Sequence, residues 1–189
     1  MIRILSLAAA AAALAVPVTS FAQGGDPAFG AFQKICWSAN GDYVGAVKAA
    51  DADGWKDTQV IAPTEAGVSL TDKAAREKPA GSETMTLLVT RGLQHTKGGD
   101  FKVDTCKLTV NKADAGLIDA GKAWLGGVDQ DNKADKTLAV YYVKLGGASP
   151  EHVGAAGVQA AMDKGGGFGV LKFQADSDAG ILVFQAYTK

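Results

Sequence analysis

Two cysteines, Cys36 and Cys106, are the only thiols of this chain, and its first 22 residues read as an export leader. Together they constrain the fold more than any other feature. Met1-Ile2-Arg3 supplies one positive charge, and a block of Leu, Ala and Val follows. Thr19-Ser20-Phe21-Ala22 then places small residues three and one before a cut ahead of Gln23. The apolar run is too short and too rich in alanine for a membrane span, which needs about 20 strongly apolar residues. No cysteine follows the cut to take a lipid anchor. The leader predicts a periplasmic or secreted protein with no stable membrane anchor. In such a compartment two cysteines pair as a structural disulfide. Closing a loop of about 70 residues would remove roughly 4 kcal/mol of unfolded-state entropy. The alternatives are a redox pair, which would want C-x-x-C, or a zinc site, which would want more ligands.

Removing residues 1–22 leaves 167 of the 189 residues, which suits one mature domain over 23–189. The charge is then nearly balanced, 18 Lys and Arg against 20 Asp and Glu. Nucleic acid requires clustered cations, so this balance argues against such a partner. All 24 glycines lie after the cut and aromatic residues are few, which implies many tight turns and small side chains.

Asp26-Pro27 is a helix start, with Asp as cap and Pro at the first helical position. Phe29, Phe32 and Cys36 follow at helical spacing, Asn40-Gly41-Asp42 interrupts, and a second helix runs to Gly54-Trp55. The mixed stretch 56–83 reads as a loop-rich connection, with a short strand near Val68–Leu70 and a helical turn at Asp72–Glu77. A hairpin follows: Met85, Leu87 and Val89 alternate with threonines, 92–99 is the turn, and Phe101–Val110 returns. Along the return, the apolar phase changes from Phe101/Val103 to Cys106/Leu108/Val110, which predicts a bulge near Asp104-Thr105. A helix over 113–125, a central strand Leu138–Leu145, a helix from Ser149-Pro150 to Lys164 and strands at Phe168–Gln174 and Gly180–Tyr187 complete the chain. The expected class is α+β: one mainly antiparallel sheet of about five strands with helices packed on it.

Each candidate for chemistry has a plainer explanation. Asp129-x-Asp131-x-Lys133-x-Asp135 invites a calcium loop, but Lys133, Ala134 and Val140 stand where an EF-hand needs oxygen, Gly and Glu. Gly165–Gly169 runs from helix to strand, the reverse of a phosphate loop, and reads as a helix stop with a close backbone approach. His95 and His152 are the only imidazoles; His95 falls in the expected hairpin turn and His152 in a first helical turn, where Ser149 serves as cap. Asp51, Asp53, Asp57, Asp176 and Asp178 sit at a helix end and a turn, where Asp bonds locally. Trp55 and Trp124 follow apolar residues at helical spacing and read as core. No residue is assigned as catalytic, cofactor-binding or metal-ligating, and no cofactor is implied.

The Phe32-x-x-x-Cys36 helix, the Ala52-Asp53-Gly54-Trp55 ending and the strand Cys106 resemble small exported alphaproteobacterial proteins of unknown function. The resemblance implies a periplasmic helix-on-sheet domain and carries over no catalytic residues. The resulting expectation is a non-catalytic exported module that binds a partner or small ligand. The rivals are a small hydrolase using His95 or His152, and a secreted inhibitor inserting loop 92–99 or 129–136. Export itself has a direct test: intact mass of the exported protein should correspond to a chain starting at Gln23, with or without cyclisation to pyroglutamate. A mature species that keeps residues 1–22 would overturn the leader.

Overall fold

A computed structural model describes residues 26–62, 67–96, 99–112, 116–132, 135–175 and 178–189. The export leader and Asp176 lie outside them. Helix α1 (Pro27–Phe32) starts as expected, with the Asp26 carboxylate accepting from the Ala28 amide. It continues through one π-helical stretch, Gln33–Trp37. Asn40 and Gly41 take positive φ, and α2 (Tyr43–Ala52) begins under the Asp42 cap. Then come β1 (Lys56–Asp57), β2 (Val68–Ala80), β3 (Glu83–Thr96), β4 (Gly99–Val110), α3 (Gly116–Trp124), β5 (Leu138–Val143), α4 (Gly154–Asp163), β6 (Phe168–Ala175) and β7 (Gly180–Thr188). No helix among the described residues is long and apolar enough to cross a membrane.

The strands form one antiparallel sheet in the order β1-β2-β3-β4-β7-β6-β5. The α+β class holds, but the sheet has seven strands rather than about five. The difference lies in 56–83. The Ala74-Ala75-Arg76-Glu77-Lys78 run has helical propensity, yet β2 pairs with β3 along its whole length across a tight turn at Gly81. Tertiary pairing overrides local preference there. The expected turn 92–99 is also mostly strand: β3 runs to Thr96 and β4 resumes at Gly99.

One face of the sheet carries α1, α2 and α3 over the core. Leu87, Val89, Cys106, Leu108, Leu171, Phe173, Leu182 and Phe184 are buried there. Phe29, Phe32, Trp37 and Trp124 pack edge-on between helices and sheet. Gly121 lets α3 touch that layer, since a Cβ there would sit 2.5 Å from the Phe173 ring. The Cys36–Cys106 disulfide, Cα atoms 5.5 Å apart, staples the π-helical stretch to β4.

Two expectations about strands are corrected. Register along β4 is continuous with β3 and β7, so no bulge lies at Asp104-Thr105. The change of apolar phase has another cause: Cys106, Leu108 and Val110 face the helices, while Phe101 and Val103 are buried on the opposite face. Leu138–Val143 is an edge strand, not a central one. It is apolar on both sides because the core lies on one and α4 on the other. Its open edge is covered by loops: Asp131 N donates to Val140 O, the Asn132 carboxamide bonds Val140 N and Leu138 O, and Val153 N donates to Tyr142 O. Such covering prevents edge-to-edge association.

Replacing Cys36 and Cys106 together by Ser should lower unfolding free energy by about 2–5 kcal/mol in denaturant titrations. Unchanged stability, or both thiols alkylating in the native unreduced protein, would show that the staple is absent.

Candidate functional site

Three of the acidic residues singled out in the sequence, Asp51, Asp53 and Asp57, are occupied by structural work. Asp53, at the end of α2, accepts from Lys34, from Lys78 at 2.9 Å and from the Trp55 indole at 3.1 Å. The two lysines and the indole hold its carboxyl down at about 2, against a smaller upward push from burial. Asp51 and Asp57 both pair with Arg76 of β2, at 2.7 and 2.6 Å. These contacts bind the end of α2 to the sheet and leave no carboxylate pair across a cleft. At the other end of α2, Asp104 is 4% exposed and meets Arg91 in a two-pronged pair of 2.8 and 2.9 Å. Burial pushes Asp104 up, but Arg91, the Tyr43 amide and Lys102 together hold it below its ordinary value. Arg91 also reaches the Asp42 cap at 3.0 Å and lies over the Tyr43 ring. Asp104 interrupts the apolar face of β4 and gave no other warning of this role.

The 129–136 loop is likewise structural. Asp129 pairs with Lys122, Asp135 caps the Thr137 amide, and Asp131 accepts from the Tyr142 amide at 2.7 Å. Lys133 and Ala134 lie outside the described residues. No group of three or more His, Cys, Asp or Glu among those described could hold a metal ion.

Both histidines have carboxylate partners. His95 is in β3, not a turn, and its Nδ1 lies 2.8 Å from Asp100 across the hairpin. His152 Nε2 lies 2.9 Å from Asp131, and the ring stands edge-on to Tyr141. His152 also bridges to Val143, after which Gly154 (φ +63°) turns the chain into α4. The pair thus fixes where α4 begins. That start is later than expected: Val153, not Ser149, stands at the cap position. No Ser, Thr or Cys side chain among the described residues bonds either imidazole. Gly165 ends α4 at positive φ, and Cβ atoms at Gly167 and Gly169 would collide with Tyr187 O and Phe184. The glycine run is a helix stop and a close approach, as its order suggests.

The site lies on the second face of the sheet, which no motif marks. Helix α4 stands over β5 and β6 there, presenting Val158 and Met162. Under it is a cavity of about 930 Å³ lined by Val140, Tyr142, Phe168 and Val170 from the strands. Gln185, 1% exposed, lies in its floor and bonds Thr105. A second cavity of about 170 Å³ adjoins, bounded by Val68, Leu70, Leu88, Val103 and Val183. Lys172 of β6 lines both.

Sheet curl makes this face concave. Three strands separate β2 from β6, yet Val68 and Leu70 share the smaller cavity with Lys172 and Gln174. Two local features permit the curl. The register of β2 against β3 shifts between Leu70 and Asp72, a bulge that sends Val68 and Leu70, rather than their neighbours, to the cavity face. Opposite it is Gly92, where a Cβ would lie 2.8 Å from Ser69 O and 2.9 Å from Val68. Only glycine lets β2 lean this closely over β3.

The chain matches no protein-family model, no curated protein and no solved structure.

The depressed Asp53 carboxyl gives a pH signature. Its pKa falls from 3.8 to about 2 on folding. The stabilisation is therefore complete above about pH 4 and is lost as pH falls through 2. Asp53→Asn should cost about 1–2 kcal/mol at pH 7, the exposed Lys34 adding little, and the gap to wild type should close near pH 2. Urea titrations from pH 2 to 7 measure this; a gap independent of pH would refute it.

Proposed function

We propose that this chain is a non-catalytic exported module that binds a small, mainly apolar molecule on the concave face of its sheet, beneath α4. The observation that carries the reading is the cavity of about 930 Å³, in which Phe101, Val140, Val158, Met162, Phe168 and Val170 give an apolar lining, interspersed with polar side chains such as Gln94, Gln159, Lys172 and Gln185. Its size falls within the roughly 300–1,000 Å³ common for small-molecule sites.

Export is part of the proposal. The leader, the Cys36–Cys106 disulfide and the resemblance to small exported alphaproteobacterial proteins all support a periplasmic or secreted location. The hydrolase reading has less support. His152 is committed to holding the start of α4, and His95 sits at the rim of β3 with its carboxylate partner exposed. The inhibitor reading loses much of its inserting loop, since 92–96 belongs to β3.

The uncharged fluorescent probe Nile red tests the reading. It should bind the mature protein, and Val158→Trp, which fills the cavity from α4, should weaken binding at least tenfold while the melting temperature stays within a few degrees. His95→Ala should bind as wild type does. Absence of Nile red binding, or equal binding by Val158→Trp, would overturn the proposal.

A further inference from the structure

The concave face holds two lysines that no carboxylate engages among the described residues, Lys107 of β4 and Lys172 of β6, and Lys172 lines both cavities. Lys172 lies mid-strand on β6, with Val140 of β5 and Val183 of β7 as its cross-strand neighbours and Val170 two residues before it. It has no hydrogen-bond or ion-pair partner among the described residues. Arg76, Arg91, Lys34, Lys78, Lys102 and Lys122 pair with carboxylates. Among the described lysines without such a pair, Lys172 is the one that lines both cavities. The half-buried ammonium among these valines has no counter-charge from the protein among the described residues. The remaining charges of the two cavities also lean positive. Lys107 lines the far end of the smaller one, and Lys189 stands over the Phe101 ring at the mouth of the larger. The acid among the lining residues is Asp163, on α4 at the outer rim, where it accepts from Gln159. This basic lining contrasts with a chain whose formal charge is −1.

From this we infer that the ligand is an anionic amphiphile, a long-chain carboxylate, with its head on Lys172 and its hydrocarbon chain in the larger cavity beneath Val158 and Met162. The inference rests on the proposed apolar site and adds the head-group chemistry. Apolar walls supply affinity in proportion to the area they cover, without regard to what the chain carries at its end. The Lys172 ammonium supplies the preference for charge, and more strongly in a partly dry groove than on an open surface. The position of Lys172, where the two cavities meet, places the head at the inner end of the chain and leaves the smaller cavity for the groups around the carboxylate.

Displacement of a dansyl-labelled undecanoate by dodecanoate and by dodecan-1-ol tests the assignment on the mature, disulfide-bonded protein. The two competitors share a chain and differ in charge. Dodecanoate should compete at least tenfold better than dodecan-1-ol. Lys172→Met should abolish that preference while leaving dodecan-1-ol binding within about threefold, and Lys172→Arg should retain it. Lys107→Met, in the smaller cavity away from the head, should leave the preference in place. Equal binding of the two competitors by wild type, or a preference that survives Lys172→Met, would overturn the head-group assignment and leave the apolar site standing. Failure of the dansyl probe and of both competitors to bind would overturn the site and the inference together. Should Lys172→Met not fold, loss of the preference in Lys172→Gln, or its survival there, decides the matter by the same measurement.

Discussion

The bond between Cys36 and Cys106 decides which side of the sheet the helices occupy. Cys106 lies in the middle of β4, and its side chain must point to whichever face carries Cys36. Because side chains alternate along a strand, that one direction sets the facing of Leu108 and Val110 and, through register, of Leu87, Leu182 and Phe184 on β3 and β7. Two positions away on the same face, Asp104 receives Arg91 and the first amide of α2. Strand β4 thus holds the π-helical stretch covalently and α2 electrostatically, and the aromatic layer of Phe29, Phe32, Trp37 and Trp124 fills the space between. Removing one partner of the Asp104–Arg91 pair would strand a buried charge, which is why so polar a contact persists inside the fold.

With three helices committed to one face, the other is left to α4 alone. A ten-residue helix covers β5 and β6 and reaches no further. The remaining width of the sheet cannot be covered by chain that does not exist, so it is enclosed by bending instead. The bulge at Thr71 and the missing side chain at Gly92 let β2 curl inward, and the curl turns an exposed apolar surface into the walls of a groove. Position of α4 and shape of the groove are therefore linked to loops at the sheet edge. The Asp131–His152 contact and the 151–153 bridge determine where the helix begins, and the helix forms the roof of the cavity.

Residues most suggestive of chemistry in the sequence turn out to be the fastenings of this arrangement. Asp51, Asp53 and Asp57 hold the end of α2, Asp129 ties its loop to α3, Asp131 holds that loop against β5, Asp135 caps the turn before β5, and each histidine closes a pair with a carboxylate. Lys172, where the two cavities meet, carried no mark in the sequence: one lysine within an alternating strand looks like an ordinary solvent-facing position. Periodicity reports which residues share a face, but not whether water or protein lies beyond it.

Local chemistry by itself determined the helix starts at Asp26 and Asp42, the hairpin between Met85 and Val110, strands β6 and β7, and the pairing expected of the two cysteines. These follow from capping, alternation and compartment, which act over a few residues or on the chain as a whole. The long strand β2, the edge position of β5 and the late start of α4 were decided only in three dimensions. In each, a partner outside the segment, the adjoining strand β3 for β2 and more distant chain for β5 and α4, supplied the backbone hydrogen bonds and outweighed a local preference for helix, loop or early cap. The concave face belongs to the same group. Its one trace in the sequence is the change of apolar phase along β4, where Phe101 and Val103 precede Cys106 and Leu108. Read alone, that pattern fits a bulge as well as a second buried face. The tertiary structure chooses the latter because β4 keeps unbroken register with both neighbours, so the two apolar sets must point to opposite sides and each must be covered.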